Sequence, residues 1–114
     1  MIYLEIPLVD EVRLDELRSM DEDGSFVKEI IDLFASDSES SIRQLATSVD
    51  AGDLEQTRKV AHRLKGSALS LGANRFAALA SDIEHDNELD SIRMSLTRLV
   101  SLRDETLAEL ESHS

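Results

Sequence analysis

Apolar residues recur along this chain with the period of an α-helix rather than with the alternation of a strand. Their spacings of three, four and seven positions are typical of helices that bury one face. Short breaks containing glycine, asparagine or aspartate separate the periodic segments, and these residue types favour turns and helix N-caps. The pattern predicts an all-α fold.

The positions of the breaks predict where the helices begin and end. We expect helices at about residues 10–20, 25–49, 54–71, 73–85 and 88–110, with Asp10 capping the first. Connections of two to four residues place consecutive helices antiparallel. The prediction is an antiparallel up-down-up-down four-helix bundle with a short additional N-terminal helix as a lid. Residues 1–9 form an N-terminal extension, and residues 10–112 form one domain.

The third helix has the clearest pattern of apolar residues. Asp53, three residues before Gln56, resembles a capping box at its start. Its apolar positions alternate steps of three and four, which is typical of a bundle core. The predicted core of all the helices comprises Val12, Leu14, Leu17, Ile31, Phe34, Ile42, Leu45, Val49, Leu54, Thr57, Ala61, Leu64, Ala68, Leu71, Phe76, Leu79, Ala80, Ile83, Leu89, Ile92, Leu96, Leu99, Val100, Leu107 and Leu110.

Length and composition narrow the class of protein. A chain of 114 residues can build one hydrophobic core. It has no cysteine, which excludes disulfides, thiolate nucleophiles and cysteine-ligated metals. The apolar start of the chain lacks a basic leader, and no run approaches the roughly 20 apolar residues that span a bilayer. We expect a soluble, cytoplasmic monomer.

The charge distribution points to an anionic ligand of limited size. A net charge of −12 argues against nucleic acid or an anionic membrane as the main partner. Between Leu54 and Ser81, however, Glu55 is the one acid. This locally basic segment indicates a site for a small anion or for an acidic protein surface. Its cations are Arg58, Lys59, Arg63, Lys65 and Arg75.

His62 lies in this basic segment, one residue after a core position. One residue is about 100° around a helix, so His62 falls at the edge of the buried face. Arg58 and Lys59 precede it by one turn, and Lys65 and Gly66 follow by one turn. Neutral imidazole is a nucleophile at physiological pH. We expect the neighbouring cations to disfavour the protonated ring and to stabilise an attached phosphoryl group.

Gly66 costs about 1 kcal/mol relative to alanine inside a helix, so its presence needs a reason. It either clears space beside His62 for a partner protein or allows close packing against the fourth helix. Leu69, one turn further on, would offer a partner an apolar contact. Arg58, Lys59, Arg63 and Leu69 together form the predicted docking face.

Other residue combinations carry less chemistry. Asp82 and His85 have the spacing of half a metal site, but no second such pair completes it. Ser67 and Ser70 lack a recognisable oxyanion hole or orienting acid. No glycine-rich phosphate loop is present, so we expect no ATP binding.

The run Ala61-His62-Arg63-Leu64-Lys65-Gly66-Ser67, with Leu71-Gly72-Ala73, Leu79 and Glu84 beyond it, resembles the histidine phosphotransfer (HPt) domain of phosphorelays. The resemblance extends over most of the chain. It departs from the family at Ala68, where many members have a second serine, and because Ala68 is a predicted core position this difference affects packing more than transfer.

The resemblance implies a role for several residues. His62 would carry the phosphoryl group on Nε2, Lys65 would neutralise it, and Gly66 would clear the docking path. Glu84 would orient the imidazole through its other nitrogen. Such domains are carriers rather than enzymes and need no cofactor of their own. They exchange phosphoryl groups with receiver domains of hybrid histidine kinases and response regulators, and the receiver supplies Mg²⁺.

Two other interpretations stay open at this point. A sensor-kinase dimerisation domain also has a histidine on a bundle helix, but there an acid commonly follows the histidine, whereas Arg63 follows His62. A non-phosphorylated adaptor would keep the bundle and the docking face. The intact His62, Lys65 and Gly66 favour the carrier. The chain starts at Met1 and has no attached receiver or kinase domain, which suggests a free-standing carrier, but a domain cut from a larger hybrid kinase would have a similar sequence.

Overall fold

The computed structural model describes residues 5–112, and all the regular secondary structure in this part of the chain is helical. The prediction of an all-α fold with a short first helix is confirmed, and no strand occurs within residues 5–112. Each helix begins and ends within two residues of its predicted bounds. The helices are α1 (Glu11–Ser19), α2 (Ser25–Asp50), α3 (Leu54–Ser70), α4 (Asn74–His85) and α5 (Leu89–Ser112).

The four longer helices pack as a ring around one core. Each of α2, α3 and α4 packs against the next helix, and α5 returns to pack against α2. Short turns make consecutive helices antiparallel. At the centre, the rings of Phe34 and Phe76 meet edge to face with their centroids 5.3 Å apart. This geometry favours aromatic pairs because a positive ring edge meets a negative ring face.

Most predicted core positions are buried, but two are wrong. Val12 is 69% exposed and Val100 is 47% exposed. On α5 the buried side follows Leu99, Leu102 and Thr106 in steps of three and four, and Val100 falls beside it. On α1, Val12 is about 200° from buried Leu14 and so faces away from the bundle. Five other predicted positions are partly buried: Ile42, Leu54, Leu89, Leu96 and Leu107.

The predicted N-caps of two helices are present. The Asp10 side chain accepts hydrogen bonds from the first turn of α1, and the Asp53 side chain accepts one from the backbone N–H of Gln56 at 3.0 Å. The reciprocal half of a capping box is absent at Asp53, because its own N–H donates to the carbonyl of Ser48 at 2.8 Å. The turn between α2 and α3 thus satisfies that N–H through the backbone.

The start of α2 uses a cap that the sequence pattern did not reveal. Gly24 occupies the N-cap position with φ +83°, where it offers no side chain. The Asp21 carboxylate takes over this role and accepts the N–H groups of Gly24, Phe26 and Val27. The bond from Val27, with the other backbone bonds, lowers the pKa of Asp21.

The segment around α1 covers the turn between α3 and α4. The Asp10 N–H donates to the Gly72 carbonyl at 2.7 Å, and the Arg13 Nε donates to the Ser70 carbonyl at 2.9 Å. Leu14 and Leu17 are buried beneath the helix. This position agrees with the predicted lid.

The described part of the predicted N-terminal extension also contacts the bundle. Val9 belongs to the core, and the Ile6 carbonyl accepts a hydrogen bond from Arg75 Nε at 2.8 Å. Residues 1–4 of that extension, and residues 113–114 at the other terminus, lie outside the described residues. The domain limits at residues 10 and 112 stay a prediction.

Gly72 holds the contact between α1 and the α3–α4 turn. Its φ is +82°, and a Cβ there would lie 3.1 Å from the Asp10 carbonyl oxygen and 3.2 Å from the Arg13 Cβ. Gly52 has a similar φ of +70° but open space around it, so it is a matched control. We expect Gly52→Ala to lower the free energy of unfolding by about 1 kcal/mol and Gly72→Ala to lower it by more. Urea unfolding checks this, and equal losses would exclude a role for the contact with α1.

Polar bonds also join helices inside the bundle. The hydroxyls of Ser48 on α2 and Thr57 on α3 lie 2.7 Å apart and are buried. Arg103 on α5 reaches α2, where it donates to the Ser38 hydroxyl at 2.8 Å and to the Ala35 carbonyl at 2.7 Å. Each connection joins two different helices through specific atoms.

Candidate functional site around His62

Helix α3 sets the position of His62. Ala61, Leu64 and Ala68 are completely buried and fix the face of α3 that packs into the bundle. His62 is one step around the helix from Ala61, and its side chain is 68% exposed. The imidazole is thus accessible while its backbone is held by a packed helix.

Glu84 on α4 bridges His62 and Lys65. One carboxylate oxygen, Oε2, lies 2.8 Å from His62 Nδ1, and the other, Oε1, lies 2.7 Å from Lys65 Nζ. The Glu84 side chain is only 17% exposed. The structure therefore brings together three of the residues that the sequence predicted for the site, and they come from two adjacent helices.

The bond to Glu84 determines which nitrogen of the ring is nucleophilic. An ionised carboxylate can only accept hydrogen bonds, so Nδ1 must be the donor. In neutral imidazole the other nitrogen, Nε2, then carries the lone pair. The arrangement prepares Nε2, and not Nδ1, to attack an electrophile.

The nearest charged partner of His62 is an anion rather than the cations expected from the sequence. Lys65 donates to Glu84, Lys59 pairs with Glu55 at 3.3 Å, and Arg58 donates to Asn87 at 3.2 Å. These cations lie near His62 along the helix, but their hydrogen bonds and ion pairs are with other residues. A role for these cations beside the ring stays a prediction, and the structure shows the ring in contact with the Glu84 carboxylate.

Gly66 lies on the exposed side of α3 in open space. A Cβ built on it would meet no atom of the surrounding structure within 4 Å. Close packing against α4 therefore does not explain the glycine. The surface beside His62 is instead free of side-chain bulk at this position.

A family comparison identifies the chain. The model of the Hpt domain family matches residues 29–113, which is most of the sequence. The chain belongs to the Hpt domain family. The matched range contains His62 and Glu84, the two residues joined by the imidazole hydrogen bond.

Two curated relatives of this Hpt domain share parts of its sequence. Multistep phosphorelay regulator 1 of Schizosaccharomyces pombe is 30% identical over 86 residues, which are 74% of this chain and 29% of that protein. Histidine-containing phosphotransfer protein 2 of Arabidopsis thaliana is 38% identical over 69 residues, which are 56% of this chain and 44% of that protein. The chain thus spans less than half the length of either relative.

The fold of this Hpt domain is also found in a solved structure. The crystal structure of the maize histidine-containing phosphotransfer protein ZmHP2 superposes with a TM-score of 0.73 and 28% sequence identity. The match covers 95% of this chain and 92% of the maize chain. The whole bundle is therefore shared with that protein.

The residues of the predicted docking face lie on different sides of α3. Leu69 is exposed on the same side of α3 as His62. Arg63, by contrast, lies toward α2, where it donates to the Ser41 hydroxyl at 3.2 Å and to the Gln44 amide oxygen at 3.0 Å. The residue that follows His62 in sequence thus contacts a different helix from His62 itself.

An apolar groove next to this face was missed by sequence reasoning. It lies between α2 and α3, and Leu33 on its rim is 69% exposed. The signal was present, because Phe26, Ile30 and Leu33 follow one another at spacings of four and three residues. The groove is lined by Ile30, Leu33, Phe34, Asp37, Ser67, Ser70 and Leu71.

The weaker candidates of the Hpt domain contact other groups. His85 Nδ1 lies 2.8 Å from the Ser81 carbonyl, and Ser67 donates to Asp37 at 3.2 Å. Within residues 5–112, no group of three or more histidine, aspartate or glutamate side chains is arranged to hold a metal. No helix in this range is long and apolar enough to cross a bilayer.

The charge on Glu84 makes the stability of the Hpt domain depend on pH. The hydrogen bond from Lys65 is the main cause that lowers the pKa of Glu84, opposed by partial burial and supported by the bond to His62. A lowered folded-state pKa stabilises the fold above the unfolded pKa of Glu84, and this contribution is lost as the pH falls through the folded pKa.

We therefore expect the free energy of unfolding to decrease as the pH is lowered past about 4.5. The decrease should be less steep for Glu84→Gln than for the unmutated chain. Urea unfolding between neutral pH and pH 3 measures the two slopes. Identical slopes would show that the bonds to Glu84 do not stabilise the fold.

Proposed function

We propose that this Hpt domain carries a phosphoryl group on Nε2 of His62, taking it from the aspartyl phosphate of one receiver domain and passing it to the aspartate of another. The observation that carries the proposal is the Nδ1 hydrogen bond to Glu84 on an exposed, helix-mounted imidazole. It leaves Nε2 as the nucleophile. The phosphorelay and phosphotransfer functions named for the two curated relatives support it.

In the proposed reaction, the lone pair of Nε2 attacks the phosphorus of the aspartyl phosphate. A nitrogen–phosphorus bond forms, the bond between the acyl oxygen and phosphorus breaks, and the receiver recovers its carboxylate. Lys65 Nζ is one turn from His62 and already faces the site through Glu84. In its proposed role it turns to the bound phosphoryl group and offsets its charge.

In the proposed reaction, the partner receiver domain supplies the catalytic groups. The receiver domain, in a hybrid histidine kinase or in a response regulator, supplies Mg²⁺ and the acidic pocket, and the Hpt domain acts as a carrier rather than as an enzyme. It needs no cofactor of its own, and we propose that it works as a cytoplasmic monomer. The cations Arg58, Lys59 and Arg63 would complement the acidic receiver.

The proposal gives the open surface beside His62 a role in docking. Gly66 lets the receiver approach closely enough for in-line transfer, and Leu69 supplies an apolar contact near it. The apolar groove between α2 and α3 extends this surface. Chemistry and docking then occupy neighbouring parts of one face.

Two substitutions of Gly66 test its effect on stability and on transfer separately. Gly66→Ala is expected to raise the free energy of unfolding by up to about 1 kcal/mol, because alanine favours a helix and has room here. Gly66→Gln is expected to slow transfer from a receiver about tenfold or more, because its side chain obstructs the approach. Urea unfolding and quenched-flow transfer measure the two effects, and a Gln variant with normal transfer would contradict the clearance role.

Direct transfer of label tests the proposed function. The protein is mixed with receiver domains that carry radiolabelled aspartyl phosphate, and the products are separated and treated with acid or base. An acid-labile, base-stable label on this protein is expected for a phosphohistidine. Several active receivers that leave the protein unlabelled would overturn the proposal and favour a non-phosphorylated adaptor.

A further inference from the structure

The Glu84 carboxylate is placed to act on the proton of the His62 ring. Glu84 accepts from His62 Nδ1 through one oxygen and from Lys65 Nζ through the other. The carboxylate is mostly shielded from water, and the titratable side chains that bond to it are His62 and Lys65 of α3. Arg58 and Arg63 of α3 contact Asn87 and the α2 side chains instead.

Phosphorylation at Nε2 gives the His62 ring a positive charge, which it can keep or lose with its Nδ1 proton. When Nε2 forms its bond to phosphorus, the ring still holds the Nδ1 proton and becomes a cationic imidazolium. The ring then either keeps this proton or loses it to water. If it keeps the proton, the later break of the nitrogen–phosphorus bond releases neutral imidazole, which is a good leaving group. If it loses the proton, the break must release the far more basic imidazolate or wait for reprotonation.

We infer that Glu84 keeps the proton on Nδ1 of phosphorylated His62, so that the carrier stays in the form that readily passes its phosphoryl group on. The inference rests on the proposed function for its biological meaning. Physically it needs only the hydrogen bond, because a carboxylate next to a cationic ring stabilises the protonated form. No proton has to enter or leave the site during either transfer.

Lys65 strengthens this effect when it changes partner. In the unphosphorylated protein its ammonium group offsets the Glu84 charge at 2.7 Å. If it turns to the phosphoryl group, the protonated ring becomes the main positive charge beside Glu84. The carboxylate therefore holds the ring proton most strongly in the phosphorylated state. Glu84 acts here as a positioning residue, since it reaches the phosphoryl group only through the imidazole.

Nitrogen NMR of the phosphorylated protein tests the inference. The full chain, labelled with ¹⁵N-histidine, is phosphorylated with phosphoramidate, a small donor that needs no receiver. The ¹⁵N shift of Nδ1 differs widely between its protonated and unprotonated forms and is followed against pH. For Glu84→Gln, which keeps an acceptor but not the charge, we expect the midpoint for loss of this proton to fall by about one pH unit, a tenfold loss of proton affinity.

Asp82→Asn is the matched control, because it removes one negative charge from the exposed surface of the same helix. Its midpoint should equal that of the unmutated chain. Equal midpoints for Glu84→Gln and the unmutated chain, an unprotonated Nδ1 at neutral pH, or phosphorylation at Nδ1 would each overturn the inference. The expected lower midpoint for Glu84→Gln, found together with no exchange of label between the unmutated chain and any receiver, would instead overturn the proposed function alone.

Discussion

Replacement of His62 by glutamine is expected to abolish transfer of label from a phosphorylated receiver, because the amide has no nucleophilic nitrogen. The change should leave the fold intact. The His62 side chain is mostly exposed, and a glutamine amide can still donate to Glu84. We expect a change of no more than about 0.5 kcal/mol in the free energy of unfolding. Time courses of label transfer, together with urea unfolding, measure both quantities.

His85→Gln is the matched control for this experiment. His85 is an exposed histidine on the adjacent helix, and its Nδ1 contacts the Ser81 carbonyl rather than a carboxylate. Its replacement should leave label transfer unchanged. Persistent acid-labile label on His62→Gln, or loss of label on His85→Gln, would assign the phosphoacceptor to another residue.

Phe76→Ala is expected to produce the largest loss of stability. Phe76 is completely buried and packs edge to face against Phe34. Removing its ring leaves a cavity at the centre of the bundle and costs roughly 3–5 kcal/mol. Since small domains are stable by only about 5–15 kcal/mol, this is a large share of the total. Urea unfolding followed by circular dichroism gives the difference.

Leu33→Ala serves as the comparison for Phe76→Ala. Leu33 also belongs to the apolar residues of the bundle, but it is exposed on the rim of the groove between α2 and α3. Its truncation should change the free energy of unfolding by no more than about 0.5 kcal/mol. A cost at Phe76 as small as that at Leu33 would show that the bundle centre is loosely packed.

The helices could be predicted because their signals are local. Steps of three and four in apolar residues, with a capping aspartate at Asp10 or Asp53, lie within a single segment of sequence. Burial at the edges of these faces is set by neighbouring helices, so the spacing rule placed Val12 and Val100 inside wrongly. The cap of α2 was missed because Asp21 acts from outside the usual N-cap position.

The site residues also fall into those that a single helix places together and those that only the packed structure places together. His62, Lys65 and Gly66 lie on one helix, so their proximity follows from helix geometry alone. The Glu84 contact came from family resemblance, because the pairing of α3 with α4 at that height is a tertiary property. That Lys65 shares the same carboxylate, and that Arg63 binds α2, required the packed structure.

The buried bond between Ser48 and Thr57 and the partly buried bonds from Arg103 to α2 limit how far these helices can slide past one another. Aliphatic side chains attract one another at many offsets, so helices packed by them alone can slide along their axes at little cost. A slide of one residue moves a helix by about 1.5 Å, which is enough to break a hydrogen bond. Directional hydrogen bonds between helices resist such sliding, because they hold at only one offset. By tying α3 and α5 to α2, they fix the height of α3, and with it of His62, along the bundle relative to α2 and α5.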